Sequence, residues 1–257
     1  MIKFFRKIRY DLMEKNKTGK YFKYAIGEII LVVIGILIAL SINNWNENVK
    51  THRNQRNNLQ LIKVEMINNL QAIVEANKDL SKTITSCRDL INLNNTDNNL
   101  KNIEEHQLSS LIAGLVRDDV QAFLENGVMN QLLASDGLKN IENDSIRNIL
   151  ASWQSKIDYV RLQEQHIFSA QSRIREYIST NGNMKVLFEG IGLSQRMKLD
   201  TSLVKVSNKH LLMDKKLENT TLILLVSGVS LQENIYPEFK NEIHSIVGLI
   251  DLELEKK

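Results

Sequence analysis

Chemistry on a helical chain needs acids, bases or metal ligands gathered at helical spacing, and this sequence offers few. Its five histidines, His52, His106, His166, His210 and His244, are scattered. No His-x-x-x-His or Glu-x-x-His pair places two ligands on one helix face, so a ferritin-like di-metal site has no donors. There is no Gly-x-Gly-x-x-Gly and no P-loop, and neither Ser194 nor Ser230 sits in a nucleophile elbow. Catalytic, cofactor-binding and metal-ligating residues are therefore all expected to be absent, and the chain reads as a non-enzyme. Cys87 is the one cysteine. Its place on an apolar helix seam predicts a buried thiol; outside the cytoplasm the alternative is a bridge between two chains. The sequons at Asn94, Asn143 and Asn219 are what an Asn-rich chain produces by chance. Glu104-Glu105 and Asp118-Asp119 read as helix-start acids beside a dipole.

The acid that stands out is Glu28, because of its surroundings. From Ala25 to Ile42 the sequence runs for 18 residues with Glu28 and Ser41 as its strongly polar members. With Phe22 and Tyr24 the run reaches about the 20 residues needed to span hydrocarbon. A core helix would carry one polar face, and Ile29–Leu40 carries none. A cleaved signal peptide is the rival, since Ala39-Leu40-Ser41 resembles a small-x-small site. Against it stand a long basic lead and Trp45, placed as an interfacial anchor just past the span. Glu28 shares a helix face with Gly35 and Ala39, a small-xxx-small pair that lets two helices approach. These three form a candidate transmembrane packing face, with Glu28 paired to a neighbouring helix; the alternative is a carboxylate tolerated near the interface.

Charge orients the span. Residues 1–24 hold eight Lys/Arg against Asp11 and Glu14, a net of +6, which leaves −3 for the rest of a chain whose total is +3. The far flank, Asn43–Lys63, has four Lys/Arg. The positive-inside rule puts the N-terminus in the cytoplasm and the large C-terminal part outside it. Because the basic character belongs to the tip, the chain as a whole is not expected to bind nucleic acid. Within MIKFFRKIRYDL, Met1, Phe4, Phe5, Ile8 and Leu12 fall on one side of a helical wheel and the basic residues on the other. This predicts an interfacial helix anchored by Phe4, Phe5 and Ile8 in an anionic inner leaflet. Gly19 is expected to mark the turn between this helix and the span.

The rest reads as helix. One proline and 11 glycines in 257 residues leave too few breakers for an all-β fold. Leu59, Met66, Ile73, Leu80 and Cys87 recur every seven, with Leu70, Asn77, Ile84 and Ile91 expected in the alternate row. With nothing to break it, the helix is expected to run from Ala25 to Leu93, about 100 Å at 1.5 Å per residue. After the Asn-rich NLNNTDNNLKN, one helix, or a helix pair interrupted near Asp118, covers Glu104 to about Ala134. A third helix follows from Asp144, capped by Asn143 or Asp144, to about Ser179. Its seam is Leu150, Trp153, Ile157, Val160, Glu164, Ile167, Gln171, Ile174 and Ile178, with Glu164 expected at the seam's edge. Residues 180–207 read as a long connection with some helix. A last helix, capped by Ser207 and kinked beside Pro237, carries Leu217, Thr221, Leu224, Gly228, Leu231, Ile235, Phe239, Ile243, Ile246 and Ile250 inward.

The stretches KFFRKIR, KYFKYAIGEIILVVIGILIAL and NNWNE resemble the N-terminal signature of a family of uncharacterised single-pass membrane proteins common in Bacteroidota, a domain of unknown function. AFLENGVMNQLLASDGLKNIENDSIRNIL resembles that family's helix–turn–helix, although it departs from the family's Tyr-x-x-Leu-x-x-Ser-Gly. The resemblance implies a Gram-negative envelope, an inner-membrane anchor and a periplasmic domain, and it carries no activity.

The expected fold is all-α: an N-terminal amphipathic helix, one transmembrane helix, then an elongated antiparallel four-helix bundle. The expected division is a cytoplasmic basic segment over 1–20, a transmembrane helix over 21–44 and an extracytoplasmic bundle over 45–257. The expected task is that of a scaffold or interaction subunit of the cell envelope. Its partners would be the bilayer and either a second copy or another membrane protein. The alternative is a ligand-sensing bundle that signals through a separate membrane partner, because a cytoplasmic segment of 24 residues cannot hold an output domain. A cluster of Arg and aromatic residues facing one cleft would favour sensing, and seams filled with Leu and Ile would favour the scaffold.

Overall fold

The structure, a computed structural model, describes residues 10, 18–93, 102–117, 119–135, 137–203 and 206–256. The proposed interfacial helix with Phe4, Phe5 and Ile8, most of the Asn-rich stretch, and Asp118 lie outside the described residues. Among those described, every regular element is helical. Two units follow from the contacts, 1–57 and 58–257.

Helix α1, Thr18–Leu93, is unbroken over 76 residues. Gly19 lies in its first turn and so marks no separation from the span. In the first unit, α1 contains the only helix among the described residues that is long and apolar enough to cross a membrane. From Ile29 to Ile42 every residue is exposed. An apolar helix with no polar face and no protein cover is what a lipid environment requires.

The second unit has one continuous core. Along α1, Leu59, Met66, Ile73, Leu80 and Cys87 are all buried, as their seven-residue recurrence predicts. The second buried row is Ile62, Asn69, Ala76, Thr83 and Leu90, which corrects the expected Leu70, Asn77, Ile84 and Ile91. Of those four only Ile84 is buried. Rows at +3 and +4 both continue a heptad, so the pattern on one helix cannot choose between them. What turns inward here is a mixed row, with Asn69, Ala76 and Thr83 between Ile62 and Leu90.

Helices α2, Glu105–Val116, and α3, Gly127–Ala134, flank a connector around residues 119–126, as the expected break near Asp118 requires. A 3₁₀ turn, Gly137–Asn140, leads to α4, Asp144–Asn181. The Asn143 side chain accepts from the N–H groups of Ser145 and Ile146 (3.0 and 3.2 Å), which satisfies two of the orphan donors at the helix start. Every position of the expected α4 seam is buried. Short helices α5, Met184–Gly190, and α6, Leu193–Arg196, and a 3₁₀ segment, Asn208–Met213, occupy the long connection.

Helix α7, Lys215–Ser230, passes through a π-helical turn, Leu231–Ile235, into α8, Tyr236–Glu255. Asp214, not Ser207, caps α7, accepting from the Lys216 N–H at 2.7 Å; Ser207 caps the 3₁₀ segment instead. The π turn falls where the seam changes phase, just before Pro237. Proline has no N–H for the preceding turn and its ring crowds the carbonyl there, so a wider turn relieves the helix. All ten expected seam positions of α7 and α8 are buried.

Contacts set the register of these helices. Lys63 of α1 pairs with Asp251 of α8, Gln232 Nε2 donates to Ser81 Oγ at 2.7 Å, and Gly228 faces Leu80 and Ile84. A Cβ at Gly228 would stand 3.1 Å from Ile84, so glycine sets how near α7 comes to α1. On α4, Asn143 donates to Glu253 at 2.9 Å, Trp153 stacks on Phe239 with ring centroids 5.1 Å apart, and Lys156 pairs with Glu242.

Candidate functional site

The transmembrane face comes first. Glu28 is half-buried, and Gly35, Ala39 and Trp45 are exposed on the same helix. No atom lies within 4 Å of where a Cβ on Gly35 would point. The face has the open groove that a close-packed helix needs, and the single chain leaves it empty.

The titratable groups in the core are structural. Burial pushes the Cys87 thiol up to about 12, which holds it protonated and unreactive at neutral pH. Among the described residues no group of three His, Cys, Asp or Glu could hold a metal ion. Glu164 is buried rather than at the seam's edge, which corrects that expectation. Its Oε1 accepts from the Ala122 N–H (2.9 Å) and from the Tyr236 hydroxyl (2.8 Å). The connector around 119–126 has no ladder of its own, so its buried N–H needs a side-chain acceptor, and Glu164 supplies it. Burial raises the carboxyl's pKa; the two hydrogen bonds and the charge of Arg161 oppose this. Burial first, and then the Glu164 charge, pushes the Tyr236 hydroxyl well above the usual phenol range.

Other side chains strap the same connector. Asn69 of α1 donates to the Glu125 carbonyl (2.9 Å) and accepts from its N–H (2.6 Å). Glu65 accepts from the N–H groups of Val128 and Met129, capping α3 from another helix. On α4, Gln171 Nε2 donates to the Leu115 carbonyl (3.1 Å), and Arg175 donates to the Val116 carbonyl and to Asp119 (2.8 and 2.7 Å). Sequence reasoning missed Glu65 and Asn69. The signal was their place among apolar heptad positions, where a polar side chain needs a partner.

Among several clefts in the second unit, one has a mostly apolar wall with arginines beside it. It has a volume of about 590 Å³ and is walled by the end of α2, the last turns of α4, and α5 with α6. Apolar side chains form most of its wall: Val116, Ile178, Met184, Leu187, Phe188 and Ile191. Arg117, Arg175, Arg196 and Glu176 also line it. Gly190 lets α5 lie against α2, since a Cβ there would meet the Ser109 side chain at 2.5 Å. The long connection over 180–207 was expected to hold some helix, and it does, but the cleft that those helices form was not anticipated. Its three arginines come from three separate segments, and only the fold gathers them.

No curated protein and no solved structure matches this chain. Residues 28–105, which carry the apolar stretch and the first heptad seam, match the model of a family of unknown function, DUF6090.

Proposed function

We propose that this chain is a membrane-anchored helical protein acting as a scaffold or interaction subunit of the cell envelope, without catalysis. The observation that carries this reading is α1, which runs unbroken from a stretch apolar on all sides into a seam filled by Leu, Ile and Met. One element thus supplies both an anchor and part of a core. The second unit reads as an antiparallel four-helix bundle of 58–93, 105–134, 144–181 and 215–255. In support, partners of the π turn and α8 run backward along both α1 and α4: Asp251 with Lys63 and Gln232 with Ser81, then Glu253 with Asn143 and Tyr236 with Glu164. The seams suit a coiled-coil-like arrangement.

The charge difference across Ala25–Ile42 favours a cytoplasmic N-terminus and an outer C-terminal domain. The KFFRKIR and NNWNE resemblance favours the inner membrane of a Bacteroidota cell, with the domain in the periplasm. Glu28, Gly35 and Ala39 are the face for a second copy or a membrane-protein partner, and Trp45 the outer interfacial anchor. A reporter active only in the periplasm tests the topology. Fused after Lys257 it should work, and fused at residue 20 it should not. Release of a soluble fragment beginning near Asn43 would end the anchor reading.

The second reading, a ligand-sensing bundle that signals through a separate membrane partner, is favoured by the arginine-lined cleft. In-cell crosslinking from position 35, with and without added ligand, separates the two: a scaffold keeps its crosslinks, and a sensor changes them.

A further inference from the structure

We propose that the cleft beside α5 and α6 binds an amphipathic anion, a single alkyl chain ending in a carboxylate or phosphate. The inference deepens the ligand-sensing reading and rests on it only for what binding would do. The cleft volume of about 590 Å³ lies in the range of small-molecule sites. Its floor is apolar and adaptable. Ile178 and Leu187 are buried, while Met184 and Phe188 pack against the core and remain half-buried. Thioether and ring side chains of this kind mould to an alkyl chain.

Its rim is cationic. Three arginines line it against one acid, Glu176. Arg175 is already committed to Val116 and Asp119, which makes it part of the wall. The guanidinium groups of Arg117 and Arg196 are exposed, and among the described residues neither has an ion-pair or hydrogen-bond partner. A planar fork beside an apolar slot fits an anionic head whose tail lies in the slot. A neutral alkane would leave both guanidinium groups unused, a small anion would leave the apolar floor wet, and a divalent cation would meet net positive charge.

The test uses the full chain in lipid nanodiscs and a dodecanoate carrying a photoreactive diazirine in its tail. Labelling of peptides from 105–117 and 178–196 should saturate. Unlabelled dodecanoate or dodecyl phosphate should compete, and the stronger competitor identifies the head; dodecanol and acetate should not compete. Replacing both arginines, Arg117→Ala with Arg196→Ala, should weaken binding by at least about tenfold, as expected for loss of charge-assisted hydrogen bonds. Arg173→Ala, an exposed arginine outside the cleft, should leave it unchanged. The double variant alters exposed side chains, and an unchanged circular dichroism spectrum establishes that it folds. Labelling that does not saturate in these peptides, that dodecanol competes for equally, or that survives the double variant would overturn the site. A separate readout addresses sensing: disulfide yield between chains carrying Gly35→Cys, with and without dodecanoate. Saturable labelling with an unmoved yield would keep the site and remove the sensing reading.

Discussion

Between Ile29 and Ile42, α1 exposes every residue; between Leu59 and Leu90 the same helix buries one face, 12 of 32 residues. Both stretches are uninterrupted helix, so backbone propensity does not separate them. The difference lies in the remaining positions. In the first stretch they are Ile, Leu, Val, Gly and Ala with one Ser; in the second they include Lys63, Glu75, Lys78 and Lys82. An apolar stripe with a charged reverse asks for a protein neighbour on one side and water on the other, while an apolar cylinder asks for lipid all round. One element thus carries two surfaces suited to different surroundings. Its acids follow the same division: Glu65 caps a neighbouring helix inside the protein, and Glu28 lies half-buried at the start of the apolar stretch.

The largest expected contrast is in core packing. Leu80→Ala should cost the second unit about 2–5 kcal/mol, because a fully buried leucine leaves a cavity. Leu37→Ala should cost it nothing. Hydrogen exchange of the 144–178 amides in the full chain measures both. Equal losses would mean that the two stretches share one environment.

Next is the response to charge. Leu37→Arg should oppose membrane insertion by about 2.5–3.5 kcal/mol. Leu61→Arg, at a position 54% exposed in the second unit, should leave insertion intact. The fraction resisting alkaline extraction from membranes distinguishes them.

A smaller effect is expected at the packing face. Gly35→Ile should block close approach and Glu28→Gln should remove a charge while keeping shape. Each should weaken association in membranes by about 1–2 kcal/mol, with Gly27→Ala doing less. If all three associate alike, Glu28 is a tolerated interfacial carboxylate and the face carries no contact.

The smallest concerns pH. Glu164 holds its proton more tightly in the fold than in the unfolded chain, whose carboxyl titrates near 4.5. The native state therefore binds more protons between that value and the raised one, so this group's contribution to stability falls as pH rises across the window and is constant above it. Glu164→Gln keeps an acceptor for the Ala122 N–H and removes the titration. Relative to Glu164→Gln, the native chain should lose stability as pH rises from about 4.5, read as urea midpoints. A constant difference across the range would place the titration elsewhere. Below this window the ordering reverses. Asp214 and Glu253 have lowered values, from hydrogen bonds by Tyr177 and by Lys256 respectively, so their contribution is lost as pH falls through those values.

Periodicity alone made much of this chain legible. Every seam position named for α4, α7 and α8 is buried, and Leu59 to Cys87 are buried every seventh residue, because a helix buries whatever row of apolar residues it carries. The apolar stretch 25–42 was equally plain, since Ile29–Leu40 has no polar face to turn to water. The tertiary structure alone chose the second row of α1, because both alternatives satisfy a heptad and only a neighbour's position decides between them. It also drew Glu164 inward, through an unpaired N–H on a connector 42 residues away. And it brought Arg117, Arg175 and Arg196 to one cleft, because their meeting depends on how α2, α4 and α6 lie together, and no local spacing records that.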